Sequence, residues 1–238
     1  SAGTCLVVAG TMFGVVVTYL YAVLVPLGLD LAMFDEADRL LDWVSSHMSA
    51  YLLLYLLYAI QQVSLLAAPV LLWRHLPAGR GGGPWVRSFA ATSAVLSIGS
   101  ALLSSVLLIM STHTAVQYWH LTSTPTGPER MVVAMMFDSG ADLAKGARLM
   151  SEPLLGIWLV WIGWVLIGED ASRRSRAWSA VCVVGVWTAV VGVWKLMDPR
   201  MPYEDWVAFP IAAAMIAAGV ALRRATADLA TTGSPSPA

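Results

Sequence analysis

Long apolar stretches separated by short polar connections run along the whole chain. A helix needs about 20 apolar residues to cross a hydrocarbon core of roughly 30 Å. Five stretches approach or exceed this length, and a sixth gains it by continuing past Pro153; the six cover residues 6–29, 50–73, 88–112, 154–168, 178–194 and 206–222. The pattern predicts an all-α polytopic membrane protein with six transmembrane helices.

The stretch 131–150 does not fit this pattern. It is apolar at first and then carries Asp138, Asp142, Lys145 and Arg148. Insertion of each such residue at mid-bilayer costs about 2.5–3.5 kcal/mol, so four of them exclude a lone lipid-facing span. We therefore expect one extra amphipathic helix that is interfacial or re-entrant, or that is packed inside the bundle.

The composition supports a membrane protein and excludes other classes. Hydrophobic residues make up 58% of the chain, charged residues make up 12%, and the net charge is −1. A chain this apolar is not disordered, and it lacks the basic surface that nucleic-acid binding requires. We expect the lipid bilayer and a lipophilic small molecule as partners, and no nucleic acid.

The distribution of charge predicts the orientation. Of the 14 Lys and Arg residues, eight fall on one side of the six spans together with three of the 15 acids, which leaves six cations and 12 acids on the other side. Short cytoplasmic loops are enriched in Lys and Arg. The protein is therefore predicted to be a multi-pass plasma-membrane protein with both termini in the cytoplasm.

The ends of the chain are read from composition. Residues 1–228 are predicted to form a single helical bundle, and the low-complexity residues 229–238 a disordered tail. The chain begins with Ser1 rather than Met and has no basic leader, so we expect that the natural N-terminus is trimmed or missing.

One face of the 131–150 helix is acidic. At 100° per residue, Asp138, Asp142, Lys145 and Glu152 fall within an arc of about 80°. Such a stripe can bind a cation or protonate a lipophilic substrate, which makes Asp138, Asp142 and Glu152 candidate catalytic groups and Lys145 a candidate ligand contact. The alternative is a solvated face with Asp142 and Lys145 as a weak i,i+3 pair.

The polar segment 30–47 precedes the second span. Its acids alternate with apolar residues such as Leu40 and Trp43, which is typical of a short amphipathic helix on or over the outer end of the bundle. Such a helix can act as a lid over an outer cavity. The alternative is a connecting loop without a function of its own.

Histidines at the outer ends of two consecutive spans are candidate metal ligands. His47 and His113 have Met48 and Met110 near them in sequence, and a set of His and Met ligands suits copper or a haem iron. No recognised ligand spacing is present. The alternative is that both histidines are ordinary interfacial side chains.

Two acids directly precede the last span. Glu204 and Asp205 can cap its N-terminus, or one of them can be a buried proton donor at the mouth of an outer cavity. With Pro202, these residues resemble the Pro-x-Glu-Glu segment of the membrane-bound heterodimeric lycopene cyclases, although Asp205 replaces the second Glu. The resemblance implies acid/base chemistry on an isoprenoid.

Aromatic and amide side chains inside the spans are candidate ligand-binding residues. Trp158 and Trp161 lie one turn apart and can form a cation–π wall, or they can simply pack in the core. Gln61 and Gln62 fall in the second span, and at least one of them needs a polar partner inside the bundle.

The layout as a whole resembles a bacterial family of six-span membrane proteins known only as a domain of unknown function. The resemblance rests on an acidic outer helix after the first span, the polar inner connection WRHLPAGRGGGP, the helix through MSEPLLGIWLVWIGWVLIG and a Pro-containing last span. It implies the architecture and carries no catalytic residues or cofactor.

Three functions follow from these patterns. The leading hypothesis is an integral membrane protein with an outward-facing acidic and aromatic cavity that binds a lipophilic or cationic small molecule. The alternative is a membrane-embedded enzyme with terpene-cyclase-like acid/base chemistry on an isoprenoid or lipid. The third is a haem or copper membrane protein. The sequence does not decide whether the protein is an enzyme, and it identifies no cofactor.

Overall fold

The computed structural model describes residues 1–75, 83–122, 127–167, 173–198 and 204–232, with side chains at all of these except 74–75, 165–167, 173–177, 204–207 and 225–232. Within these ranges the chain forms seven α-helices and no strand: α1 Ala2–Tyr19, α2 Ala37–Leu65, α3 Ala67–His75, α4 Pro84–Trp119, α5 Pro128–Ile167, α6 Arg173–Met197 and α7 Glu204–Thr232. A π-helix, Leu20–Leu24, continues α1, and a 3₁₀-helix, Leu31–Asp35, precedes α2. The predicted all-α class is confirmed.

The helices of the bundle alternate in direction, with α3 continuing α2 after a one-residue turn at Leu66. At the end that we call proximal, the start of α1 packs against the middle of α7 through Gly3 and Gly219. Towards the distal end, the Tyr19 hydroxyl donates a hydrogen bond of 3.0 Å to the carbonyl oxygen of Ala50. α1 therefore contacts α7 near its start and α2 near its end.

Four helical segments among the described residues are long and apolar enough to cross a membrane. They are Ala2–Leu24, Ala37–Trp73, Pro84–Trp119 and Trp178–Met197. Parts of the other two predicted spans, 154–168 and 206–222, lie outside the residues with described side chains. The membrane character is therefore supported by four segments, and the count of six spans stays a prediction.

The extra amphipathic helix expected at 131–150 is not a separate element, and this expectation is corrected. Residues 128–167 form one continuous helix of 40 residues, in which the charged stretch and the fourth predicted span are two halves. The helix continues through Pro153, whose ring lies directly against Gly192 of α6.

The segment predicted as a short amphipathic helix at 30–47 becomes the start of α2. Residues 37–46 are helical and are joined to the rest of α2 by a kink at His47, where φ is −128° and ψ is 26°. Leu40, Leu41 and Val44 are buried against α1, α4 and α5, while Asp38 is exposed. We call residues 37–46 the cap segment.

Buried side chains form two cores, one above the other. The proximal core takes residues from all the helices and centres on Trp158, Leu159 and Ile162 of α5. The distal core is built by α1 with its π-helix, α2, α4 and α5, and α6 and α7 supply none of its described buried residues. At 1.5 Å per residue, α4 and α5 are about 54 and 60 Å long, so they exceed a 30 Å hydrocarbon core.

The close packing of α5 against α6 depends on glycines at the contact, and a substitution at one of them tests this dependence. A side chain at Gly156 would collide with the backbone of Ala189 and Gly185. Gly156→Leu should therefore force the helices apart and lower the midpoint of thermal unfolding by about 5 °C or more, since overpacking costs about 1–3 kcal/mol. Differential scanning fluorimetry in detergent measures this midpoint.

Gly99→Leu is the matched control for that variant. No described atom lies within 4 Å of where a Cβ at Gly99 would stand, so the same substitution meets open space on α4. An equal loss of stability in both variants would show that the effect of Gly156→Leu is not specific to the contact between α5 and α6.

Candidate functional site

The three charged candidates on the distal half of α5 lie at the surface. Asp138, Asp142 and Lys145 are exposed, and Asp38 of the cap segment stands close enough to influence Asp138. Partial burial, then the neighbouring carboxylates of Asp142 and Asp38, raise the pKa of Asp138 above its usual value. These groups form a solvated acidic surface and do not line a pocket.

Glu152 lies apart from this surface and is paired. The Lys195 ammonium is almost fully buried, and its Nζ lies 3.5 Å from Glu152 Oε1. Ten residues separate Glu152 from Asp142, which is roughly 15 Å along the helix. The candidate acids of α5 therefore do not converge on one point. The side chains of Glu204 and Asp205 lie outside the described residues.

The aromatic and amide candidates are core residues. Trp158 is fully buried and Trp161 nearly so, and both pack in the proximal core. Gln61 and Gln62 are also buried, and Gln62 Nε2 donates a hydrogen bond of 2.7 Å to Gln61 Oε1. The two amide groups are thus hydrogen-bonded to each other. Neither the Trp158 ring nor the Trp161 ring presents an open face to a ligand.

Each candidate metal ligand makes its polar contact within its own helix. His47 Nδ1 lies 3.0 Å from the carbonyl oxygen of Trp43, and its ring stacks on the Trp43 indole with centroids 4.8 Å apart. His113 Nε2 lies 2.9 Å from Gln117 Nε2. Among the described residues, no group of three or more His, Cys, Asp or Glu side chains can hold a metal ion.

The two best-formed cavities of the described residues are open grooves on the surface. The larger has a volume of about 470 Å³ and is lined by Val17, Thr18, Tyr21, Ala22 and Phe209. The smaller, of about 230 Å³, lies between α4 and α5, with Met110, Tyr118, Met136 and Phe137 among its walls. No candidate residue whose side chain is described lines either groove, so the predicted acidic and aromatic cavity has no counterpart in the described lining of these two grooves.

The larger groove forms because α1 and α7 are closely packed only in their proximal halves. Gly3 and Gly10 leave no space for a Cβ against α7, whereas one at Gly14 would meet open space. One turn further on, Val17 and Thr18 begin the groove, and the π-helix contributes Tyr21 and Ala22. π-Helical turns are rare and frequently occur at functional sites. We call this feature the α1/α7 groove.

A cluster at the distal end joins three helices, and the sequence did not reveal it. Asp42 Oδ1 accepts a hydrogen bond of 3.0 Å from Trp119 Nε1 and also a bond from Arg130 Nη2. The Arg130 guanidinium lies 4.0 Å from the centre of the Trp119 ring. One acid of the polar segment therefore holds the cap segment to α4 and α5. Its partners are 77 and 88 residues away.

Comparisons with known proteins add no further constraint. No protein-family model, no curated protein and no solved structure matches this chain. The resemblances to the six-span family and to the lycopene cyclases therefore stay predictions.

The raised pKa of Asp138 generates a pH-dependent prediction. A carboxyl whose pKa is higher in the folded state adds stability below its unfolded pKa, and this stability is lost as the pH rises through the folded pKa. Asp138→Asn should therefore raise the unfolding midpoint at neutral pH by about 1 °C, a small effect because the site is solvent-screened. The gain should vanish below about pH 4.

Asp35→Asn is the control for this variant, since Asp35 is an exposed acid of the 3₁₀-helix. Thermal melts of both variants between pH 3.5 and 7.5 in the same detergent give the comparison. If Asp138→Asn raised the unfolding midpoint by the same amount at pH 3.5 and at pH 7.5, this result would contradict the electrostatic cause.

Proposed function

We propose that this protein is a six-span integral plasma-membrane protein, with both termini in the cytoplasm, that binds a lipophilic small molecule in the α1/α7 groove. The observation that carries the proposal is the groove itself, an apolar recess between α1 and α7 that opens beside a π-helix.

The proximal end has the character of a cytoplasmic membrane interface. Trp73 and Trp85 are exposed there, and Arg87 Nη2 donates a hydrogen bond of 3.1 Å to the carbonyl oxygen of Trp73. The Arg87 guanidinium also lies 5.6 Å from the centre of the Trp73 ring. Tryptophan and arginine at one level are typical of this interface. The hydrocarbon core then covers about 20 residues of each helix above it.

The α1/α7 groove lies near the distal ends of these spans, at the depth of the outer leaflet. Val17, Ala22 and Phe209 offer apolar walls, and Thr18 supplies a hydroxyl. Because the groove opens sideways, its occupant enters from the lipid rather than from water. A prenyl or acyl chain with a small polar head fits this lining.

The sequence-based hypothesis named a lipophilic or a cationic small molecule as the ligand. We propose only the lipophilic ligand here. The acidic groups of α5 are solvated, and Trp158 and Trp161 are covered. An isoprenoid enzyme needs a carboxylate in a closed apolar pocket. Glu152 is instead paired with Lys195. Within the described part of the chain, no observation favours the hypothesis of a membrane-embedded enzyme or that of a haem or copper protein.

The orientation is tested by cysteine accessibility. Ser46→Cys in the cap segment and Gly83→Cys before α4 are placed singly in a Cys5→Ala, Cys182→Ala background. In sealed right-side-out vesicles, a membrane-impermeant maleimide should label position 46 and should label position 83 only after the vesicles are opened. Labelling of both positions in sealed vesicles would overturn the six-span orientation.

The groove is tested with diazirine-labelled probes, a C15 prenol and a C16 fatty acid, in nanodiscs. Photolabelling should concentrate on the peptides that contain residues 17–22 and 209. Thr18→Phe fills the groove from an exposed position and should reduce that labelling by about five- to tenfold, since it removes the space for the chain.

Thr11→Phe is the matched control, because Thr11 is an exposed threonine two turns earlier on nearly the same face of α1 and outside the groove. It should leave the labelling unchanged. Equal labelling of all lipid-facing peptides, or labelling that Thr18→Phe does not reduce, would contradict the proposed site.

A further inference from the structure

An apolar seam runs along the distal half of α5 and is not used within the chain. Its residues recur with spacings of four, three, four, three and four: Val132, Met136, Ser139, Leu143, Gly146 and Met150. All of them are exposed, and the four large ones are each more than half exposed. The seam covers about 27 Å of helix. A 3.5-residue average spacing of apolar positions is the pattern of a helix that packs along another helix.

Lipid does not account for the exposure of the distal part of this seam. Asp138, Asp142 and Lys145 are exposed on the same helix between the heights of Met136 and Gly146. A bilayer is planar, so the depth that leaves these three charges in water also leaves Met136 and Leu143 in water. Soluble surfaces rarely expose a continuous apolar strip of this kind unless it is an interaction site.

We propose that this α5 seam packs against the same seam of a second copy of the protein, with the two α5 helices parallel about a two-fold axis along the membrane normal. The inference rests on the proposed membrane insertion, because insertion is what makes the two helices parallel. In a parallel pair, identical residues meet in the same layer.

The layers of the seam are self-complementary. Met136, Leu143 and Met150 form large layers, and Val132, Ser139 and Gly146 occupy the positions between them. Small residues let helix backbones approach closely. Gly140 packs against Ser111 within the chain, but no described atom lies within 4 Å of where a Cβ at Gly146 would stand. A glycine inside a helix weakens it unless its small size is used for a packing contact, and a second copy supplies the contact that this glycine lacks.

The two edges of the seam favour a second copy as the occupant. The edge towards the cap segment carries Asp142 and, further round the helix, Asp138, whereas the edge towards α4 is neutral and contains the smaller groove, with Ser111 and Tyr118 in its walls. A two-fold rotation places the charged edge of each copy beside the neutral edge of the other. Like charges therefore do not meet, and the partner's Met135 faces the smaller groove.

The test uses the full chain in proteoliposomes that contain only this protein, in the Cys5→Ala, Cys182→Ala background. Ser139→Cys and Gly146→Cys should each form an intermolecular disulfide under mild oxidation, because in-register small positions bring their Cα atoms near the 4.4–6.8 Å that a disulfide needs. Lys145→Cys, at the same height on the other side of α5, should give at least fivefold less crosslinked dimer.

A second variant measures the association without a crosslink. Leu143→Glu places two carboxylates in one layer of the seam and should convert a mainly dimeric population, counted by single-molecule photobleaching in liposomes, to a monomeric one. Leu143 is 62% exposed, so the change removes little packing within the chain. Ser46→Glu adds the same charge on the cap segment and should leave the dimer intact.

Each outcome decides the proposal. Crosslinking at positions 139 and 146 together with monomerisation by Leu143→Glu supports the two-fold interface. Monomers in the parent protein, or crosslinking no stronger than at position 145, overturn it and leave the seam to a different protein. Resistance to alkaline carbonate extraction, measured on the same samples, separates this failure from a failure of membrane insertion.

Discussion

The close approach of helix backbones at glycine is the constraint on which this bundle depends. Gly156, Gly163, Gly185 and Gly192 lie where α5 and α6 touch, and each would place a Cβ inside its neighbour. In hydrocarbon there is no hydrophobic gain from helix association, so such close packing supplies much of the attraction. It also lets α6 lie against the ring of Pro153, inside the continuous helix that joins the charged distal half of α5 to the proximal core.

The helical class could be predicted from the sequence, because the apolar stretches have the length of membrane-crossing helices, and four of the predicted spans fall in segments long and apolar enough to cross a membrane. The continuity of α5 could not be predicted. A proline and four charges indicate a boundary locally, whereas the contacts that α5 makes with α4 and α6 along its length come from distant parts of the sequence. The kink at His47 could not be predicted from the sequence either, because it depends on how the cap segment packs over α1, α4 and α5.

The candidate site was predicted from residue types, and the structure separated most of those residues. Carboxylates that share a face of α5 differ in depth, so Asp138 is solvated while Glu152 is held against Lys195. Gln61 and Gln62 satisfy each other as adjacent residues. The α1/α7 groove could not be predicted from residue types, because an apolar recess is made of the same side chains as a lipid-facing surface. In the structure, its start is marked by the change from Gly10, which is packed against α7, to Gly14, which faces open space.

A single rod about 60 Å long joins the charged distal half of α5 to its proximal end. Such a rod acts as a mechanical lever. A tilt of about 5° at one end displaces the other by roughly 5 Å, which is more than the length of a hydrogen bond. A contact that moves the distal half of α5 therefore also moves its proximal end.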